Sequence, residues 1–296
     1  MSEVEVTPGL LAGWPLPPIA FETDKEARGR VMVLGGGGQV VGAAVLAGLA
    51  TLRAGAGKLQ LGAPASVAPG LGLAIPEARV FALPETPGGE LAPEAAETIA
   101  TWLGRCDAAV IGPGMVDEKA AAGLVLRLLD REGPPMVVDC VAMTALARDP
   151  AAARLAAGRL VLTPHAGEMA ALLDRPKAEV EADPAAAARR LAAALQAVVA
   201  LKGAVTFIAS PDGQVWRHEG GSPGLATSGS GDVLSGVIAG LMGRGAAPAQ
   251  AAAWGCFVHG ACGRRLAQRI APLGFLAREL LDEIAPVIGD LEAGRA

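Results

Sequence analysis

The chain has 296 residues with a formal net charge of −5, and its aromatic content is 3% with no tyrosine. That length suits one large α/β domain or two small ones, and it is long enough to bury a core. The acidic balance and the lack of basic clusters argue against nucleic acid as a partner.

The cysteines and histidines show no metal-binding pattern. Four cysteines are scattered without a CxxC pair, and three histidines lack the spacing of a metal site. The first residues are acidic and contain no apolar signal region, so we expect a cytoplasmic protein with reduced thiols; a zinc site is the remote alternative. Residues 31–52 are uncharged, but their six glycines favour strand, loop and helix over a membrane span.

The chain opens with a proline-rich segment. Residues 1–20 contain four prolines and are predicted to form an extended arm, which Trp14 and Leu16 could anchor to a surface. Residues 21–296 are predicted to form a single domain, because no linker or repeat divides them.

A strand, a glycine run and a helix follow the arm. The pattern predicts an apolar strand over 30–35, a loop containing the four glycines at 35–38, and a helix over 42–55. Such a glycine run suits a close backbone approach to a ligand, and a tight turn explains it equally well. The dinucleotide-binding fingerprint is not matched in detail, because the acidic partner of the ribose is missing.

Strands and helices then alternate along the chain. The further predicted strands are 58–64, 107–111, 136–139, 160–163 and 197–202. The further predicted helices are 92–103, 119–132, 151–158 and 184–195. This alternation predicts an α/β fold with a parallel sheet and helices on both faces, and ligands bind such folds at the carboxyl ends of the strands.

Polar or glycine-rich segments follow these strands. They are the glycines at 35–38, Gly112-Pro-Gly114, Asp139, Thr163-Pro-His-Ala-Gly-Glu168, and Lys202 with Gly203. Lys202 could meet a phosphate or be a surface lysine, and Asp139 could bind substrate or form a turn. His165 could orient a substrate and Glu168 could serve a metal-water network, whereas helix capping by Thr163 explains these residues without any function.

The strongest functional signal is a glycine-rich loop that follows a predicted hairpin. Strands over 204–209 and 214–218 flank an Asp-Gly turn, and residues 226–231 are all small before an apolar helix. Amides at such a helix start can hold a phosphate. Asp232 among them would act as a base on an attacking hydroxyl or hold a metal; the alternative is a helix cap. His259, in a later apolar helix, is predicted to be a packed core residue.

Taken in order, these motifs resemble the NAD(P)H-hydrate dehydratase family, the ribokinase-like half of bifunctional nicotinamide-repair proteins. The motifs that carry the resemblance are Gly42-Ala43, Leu52-Arg-Ala-Gly-Ala-Gly57, Ile111-Gly-Pro-Gly114, Val138-Asp139, Thr163-Pro-His-Ala-Gly-Glu168, Leu201-Lys-Gly-Ala204 and Pro223-Gly-Leu-Ala-Thr-Ser-Gly-Ser-Gly-Asp-Val-Leu-Ser-Gly236. The resemblance implies a three-layer α/β/α sandwich with a mostly parallel central sheet, and a ribokinase-like catalytic domain over 21–296.

The resemblance also implies an activity. The family restores hydrated NADH or NADPH by phosphorylating the ring hydroxyl and eliminating phosphate, with ADP or ATP as the donor and magnesium as the cofactor. Asp232 would be the catalytic base. The substrate-binding positions would be Ala43, Gly114, His165 and Asp232. The nucleotide-binding positions would be Lys202, Gly203, Ala204, Val205, Thr206, Gly229, Ser230 and Gly231. A homo-oligomer, favoured as a tetramer, and an epimerase supplied by a separate protein are further implications.

Two departures from the family pattern fall on the substrate side. The loop at 36–41 lacks the tyrosine that the family usually has there, and residues 139–144 lack a second acid and an asparagine. Two alternatives therefore stay open. One is a ribokinase-like kinase that releases a phosphorylated vitamin precursor, and the other is a nucleotide-binding homologue with an altered substrate pocket.

Overall fold

The computed structural model describes residues 3–18 and 25–295, and in this part the strands form a single sheet. The strands are β1 (Val4–Glu5), β2 (Arg30–Leu34), β3 (Lys58–Pro64), β4 (Ala78–Leu83), β5 (Ala108–Ile111), β6 (Met136–Val138), β7 (Leu160–Leu162), β8 (Val198–Leu201), β9 (Val205–Ala209) and β10 (Val215–Glu219). Their order is β1-β10-β9-β8-β7-β6-β5-β2-β3-β4, and only β9 runs antiparallel to its neighbours.

Helices cover both faces of the sheet. They are α1 (Pro8–Ala12), α2 (Val41–Arg53), α3 (Ala68–Ala74), α4 (Ala95–Leu103), α5 (Glu118–Leu129), α6 (Thr144–Arg148), α7 (Pro150–Leu155), α8 (Ala166–Leu173), α9 (Lys177–Ala182), α10 (Pro184–Leu195), α11 (Ser230–Gly243), α12 (Pro248–Arg269) and α13 (Ala277–Glu292). Side chains alternate between faces, so that Val31 and Val33 of β2 join one core cluster while Met32 and Leu34 join the other. The predicted three-layer α/β/α sandwich with a mostly parallel sheet is confirmed.

Most predicted elements form where the sequence pattern placed them, with ends shifted by a few residues. The predicted hairpin is present as β9 and β10, and α10 has the predicted bounds. The strand β4 and the helices α3, α6 and α9 were not predicted. β4 is an edge strand that pairs only with β3, and its side chains are mostly half-exposed, so it lacks a hydrophobic alternation.

The amino-terminal segment folds against the domain. Residues 8–12 form α1 because the Thr7 side chain caps its first turn, Pro8 suits the first helical position, and Leu11 is fully buried. The expectation of an extended arm therefore needs correction over Pro8–Ala12. The Trp14 ring stacks on Trp216 at 5.4 Å between centroids, and Leu16 is buried.

Two helices cross closely beneath the carboxyl ends of the strands. A methyl group built on Gly236 of α11 would lie 2.3 Å from the Ala47 carbonyl oxygen of α2. The Thr51 hydroxyl of α2 lies 3.1 Å from the Gly236 carbonyl oxygen. Gly229 packs against Leu46, and further along both helices Gly240 packs against Thr51. The contacts thus advance in the same order along both chains, so the two helices run in the same direction and start at the same end of the domain.

We expect Gly236→Ala to lower the free energy of unfolding by about 2 kcal/mol or more, because the added methyl group would push α2 and α11 apart. The matched control is Gly289→Ala in α13, where a methyl group would meet no atom within 4 Å. That control should stabilise the chain by about 0.5–1 kcal/mol, since alanine is the better helix former. Chemical denaturation measures both values, and equal effects would contradict the close crossing.

Candidate active site

The carboxyl ends of β5 to β8 and the start of α11 bring several predicted residues together. The Lys202 ammonium lies 3.4 Å from Asp139 Oδ1, and a methyl group on Gly231 would lie 3.4 Å from that ammonium. One potential ligand atom each from Asp139, Cys140 and Asp232 lies within 4.8 Å of the others. We call these four side chains, Asp139, Cys140, Lys202 and Asp232, the acid–lysine cluster.

Asp139 is the fully buried member of this cluster. Its Oδ1 atom accepts hydrogen bonds from the Thr163 hydroxyl at 2.8 Å and the Cys140 amide at 2.9 Å, and it pairs with Lys202. Its Oδ2 atom is buried and has no hydrogen-bond partner among the described residues. A buried unpaired carboxylate oxygen is costly, so a role beyond turn formation is indicated for Asp139.

The start of α8 differs from the expectation. The cap is His165, whose Nδ1 accepts from the amides of Gly167 and Glu168, while Glu168 Oε2 accepts from the His165 amide at 2.8 Å. Thr163 does not cap the helix as the alternative supposed, because its hydroxyl is committed to Asp139. Since Nδ1 accepts these bonds, the neutral His165 ring carries its proton on Nε2, and this side chain is 61% exposed.

The glycine-rich loop leads directly into the first turn of α11. Gly229 caps the helix with a φ of 90°, a conformation that favours glycine, and Asp232 stands in the first turn. Asp232 is therefore not the cap. The first amides of a helix have no partner within the helix, so they can bind an anion here.

Ser230, the first residue of α11, is held by a histidine. His259 Nε2 lies 2.9 Å from Ser230 Oγ and 3.0 Å from the Ser230 carbonyl oxygen. Burial lowers the pKa of His259 to about 4, so the ring is neutral. The prediction of a packed histidine describes the surroundings of His259 in α12 but misses this link to the first turn of α11.

The electrostatics of the cluster favour a proton acceptor near neutral pH. Burial, and then the nearby Asp139 charge, raise the pKa of Asp232 to about 7, while Lys202 acts in the opposite direction. Burial by itself would lower the pKa of Lys202, but the Asp139 and Glu168 carboxylates outweigh it, and the pKa is raised. Lys202 therefore stays charged beside a carboxylate that can accept a proton.

The remaining predicted positions fall into two groups. Lys202 and Gly203 join β8 to β9, and Val205 and Thr206 are the first residues of β9. In the other group, a methyl group on Gly114 would lie 3.0 Å from Ala43 Cβ. The start of α11 contacts both groups, because Gly231 lies next to the Lys202 ammonium and Gly229 lies next to the Leu46 side chain of α2.

The oxygen atoms of the cluster suit a magnesium ion. Asp139 Oδ2 and Asp232 Oδ1 are buried and have no hydrogen-bond partner among the described residues. Carboxylate oxygens are the ligands that magnesium takes, usually one or two of them together with waters and nucleotide phosphates. The acid–lysine cluster therefore fits the magnesium ion that the family resemblance implied, and it contains Asp232, for which the sequence left metal binding open.

Sequence reasoning missed two residues near the site. Cys140 was treated as one of four scattered thiols, but its position directly after Asp139 at a strand end places it in the acid–lysine cluster. Glu90 is only 4% exposed. Its Oε2 atom accepts a hydrogen bond from the Val116 amide at 3.3 Å, and its Oε1 atom packs against Gly37. Glu90 thus packs between the loops that carry Gly37 and Gly114, and it lies in a stretch without any sequence pattern.

The fold and the site together define a class of protein. A glycine-capped helix start, a partly buried carboxylate with a pKa of about 7 and a charged lysine lie at the carboxyl ends of a mostly parallel sheet. These are the parts that a nucleotide-dependent enzyme of the ribokinase-like fold needs to transfer a phosphoryl group to a hydroxyl.

Comparisons with known proteins identify the family within that class. The family model described as NAD(P)H-hydrate dehydratase matches residues 31–286, and the chain belongs to this family. The chain is 49% identical over 290 residues to the ADP-dependent (S)-NAD(P)H-hydrate dehydratase of Xanthomonas campestris, covering 98% of the chain and 97% of that relative. It is 42% identical to the bifunctional NAD(P)H-hydrate repair enzyme of Moorella thermoacetica, covering 96% of the chain and 54% of that enzyme.

A solved structure agrees with this assignment. The ADP/ATP-dependent NAD(P)H-hydrate dehydratase of Bacillus subtilis, co-crystallised with ATP and Mg²⁺, superposes with a TM-score of 0.82 at 29% identity over 99% of this chain and 100% of that one. The predicted family, the ribokinase-like fold and the prediction of a hydro-lyase that dehydrates hydrated NAD(P)H are confirmed. Among the described residues, no helix is long and apolar enough to cross a membrane.

The hydrogen bond from Thr163 to Asp139 gives a prediction. We expect Thr163→Val to lower the free energy of unfolding by about 2 kcal/mol, because a buried charged acceptor loses a donor. The matched control is Thr101→Val in α4, an exposed position whose hydroxyl bonds only its own helix, with an expected change below about 0.5 kcal/mol. Denaturant unfolding of both variants measures the difference, and two equal values would mean that the Thr163 bond contributes nothing.

Proposed function

We propose that this chain catalyses the dehydration of hydrated NADH or NADPH with ADP as the phosphoryl donor and ATP as the alternative donor. The observation that carries the proposal is Asp232, a partly buried carboxylate with a pKa of about 7 in the first turn of a glycine-capped helix, near the Lys202 ammonium. The names of the relatives support the substrate and the donor, since the Xanthomonas protein is called ADP-dependent and the Bacillus structure contains ATP.

The nucleotide would bind on the β8–β9 side of the acid–lysine cluster. The residues proposed for this role are Lys202, Gly203, Ala204, Val205, Thr206, Gly229, Ser230 and Gly231. The amides at the start of α11 would stabilise the transferring phosphoryl group, and Lys202 would neutralise part of its charge. His259 would keep Ser230, and with it this turn, in place.

The hydrated ring would bind on the other side of Asp232. Ala43 and Gly114 carry a small side chain or none, and the Nε2 proton of His165 could donate to a substrate oxygen. Small residues would allow the ring close to the backbone of the Gly114 loop and of the first turn of α2. In this proposal Asp232 would lie between the ring and the nucleotide, so the ring hydroxyl would sit between base and phosphoryl group.

The reaction would then follow from these positions. Asp232 takes the proton of the ring hydroxyl while the hydroxyl oxygen attacks the terminal phosphoryl group of the nucleotide. The nucleotide leaves without that phosphoryl group, as AMP from ADP or as ADP from ATP. The ring nitrogen then expels the phosphate, and a proton is lost from the neighbouring carbon, which restores the double bond. Magnesium, when bound by the free oxygens of Asp139 and Asp232, would neutralise phosphate charge.

Other properties belong to the proposal as well. We propose that residues 21–296 act as one catalytic domain, that the protein works in the cytoplasm without nucleic-acid or membrane partners, and that it assembles as a homo-oligomer, with a tetramer favoured. Closed symmetric assemblies are the common state of soluble oligomers. Size-exclusion chromatography with light scattering measures the assembly directly.

We expect Asp232→Asn to abolish recovery of the reduced-nicotinamide absorbance from hydrated NADH while the variant still binds ADP, because the amide cannot take the hydroxyl proton. Asp130→Asn, an exposed carboxylate after α5, is the matched control and should keep full activity. The assay is run with magnesium and with ADP or ATP. Activity of Asp232→Asn within about tenfold of the unmodified chain would remove Asp232 as the base. A stable phosphoester product would instead indicate the kinase alternative.

The pH dependence gives a second prediction. Only the ionised Asp232 carboxylate accepts a proton, and its pKa is raised to about 7, so kcat/KM should fall as the pH decreases through 7. At one pH unit below that pKa the value should be about tenfold under its plateau. The affinity for ADP, measured over the same range by calorimetry, separates loss of the base from loss of binding. A profile that is flat from about pH 5.5 to 8 would mean a base with an ordinary carboxyl pKa.

A further inference from the structure

A thiol stands among the acids of the active site. One ligand atom each from Asp139, Cys140 and Asp232 falls within a mutual distance of 4.8 Å. Cys140 is only partly buried, whereas Cys106, Cys256 and Cys262 are buried in the core. Three potential metal ligands of two chemical types therefore lie together, and two of the three residues, Cys140 and Asp232, are only partly buried.

Each carboxylate of this group has one oxygen atom without a hydrogen-bond partner among the described residues. Asp139 is fully buried, and Thr163, Cys140 and Lys202 all contact its Oδ1 atom. Its Oδ2 atom is buried without a partner among the described residues, and the same holds for Asp232 Oδ1. Buried oxygens of this kind are satisfied by a bound ion, by water or by a ligand. Lys202 contacts Oδ1, so among the described residues the Oδ2 atom of Asp139 has no partner.

The donor set discriminates between metals. Magnesium takes oxygen ligands, whereas a thiolate favours zinc and softer ions such as cadmium. Three protein ligands and one water are a common zinc arrangement, in which neighbouring ligand atoms lie about 3.5 Å apart. Because the three ligand atoms lie within 4.8 Å of one another, they would have to approach by at most about 1.3 Å to reach this spacing.

We propose that Asp139, Cys140 and Asp232 form a binding site for a soft divalent cation of the zinc and cadmium class, and that occupation of this site inhibits the enzyme. A metal bound to Asp232 blocks the carboxylate that would take the substrate proton, and it competes with magnesium for the same oxygens. The thiol is what makes the site selective, because magnesium gains nothing from it.

The decisive experiment is a cadmium titration of the purified full chain without nucleotide. We expect one equivalent of Cd²⁺ to produce ultraviolet thiolate-to-cadmium charge-transfer absorbance. Cys140→Ala should lose this absorbance, whereas the matched control Cys106→Ala should keep it. Calorimetry should show that Cys140→Ala and Asp232→Asn each weaken binding at least tenfold, and that Asp130→Asn does not. Cys140→Ser is the second thiol variant, and thermal unfolding verifies that each variant is folded.

Two results would overturn the site. Charge-transfer absorbance of equal size in Cys140→Ala would place the cadmium on another thiol. Loss of absorbance in Cys140→Ala together with full affinity in Asp232→Asn would show a thiol that binds without the carboxylate. These binding measurements do not depend on turnover, so they decide the site even if hydrated NADH proves not to be the substrate.

Inhibition is tested separately with the dehydration assay. Zinc should inhibit the unmodified chain reversibly, with recovery on adding a chelator. In Cys140→Ala the zinc concentration for half inhibition, relative to the zinc-free rate of that variant, should rise at least tenfold. Equal inhibition of both proteins would show that zinc acts elsewhere and would overturn the inhibitory role.

Discussion

The close crossing of α2 and α11 is the constraint on which the site depends. Gly236 and Gly240 allow the backbones to touch, so both helices start at the same end of the domain and present their first turns side by side. One start faces the loop with Gly114, and the other faces Lys202. A larger residue at this crossing would separate the two halves of the site, so the glycines of α11 serve function through packing.

Charge is concentrated where these helix starts meet the strand ends. Asp139 is stabilised by a hydroxyl, an amide and an ammonium, while Asp232 is left with a free oxygen and a pKa of about 7. Two carboxylates with different surroundings can therefore have different tasks, one holding charge and one exchanging a proton. The unsatisfied oxygens cost folding free energy, which is the usual mark of a site shaped for a ligand.

The same arrangement explains why a thiol matters here and not elsewhere in the chain. Burial raises the pKa of all four thiols, and at Cys140 the Asp139 and Asp232 charges raise it further. Cys140 therefore differs from the core cysteines by its position and not by its acidity. Cys140 is within reach of two carboxylates, so a single small side chain changes which cations the site can accept. The metal preference of this site can therefore change without any change in the fold.

The sequence by itself determined the fold class and named most of the residues that the candidate site brings together. Alternating strand and helix patterns, the glycine loops, the place of Lys202 directly after a strand and that of Asp232 at the start of a helix follow from local rules that depend on neighbouring residues only. Only the tertiary structure decided which side chains pair. Thr163 lies 24 residues from Asp139 in the chain, and His259 lies 29 residues from Ser230, so no local pattern links them. The same long-range contact explains why His165 and not Thr163 caps α8. The Thr163 hydroxyl donates to Asp139 on the neighbouring strand end and is not available for the helix.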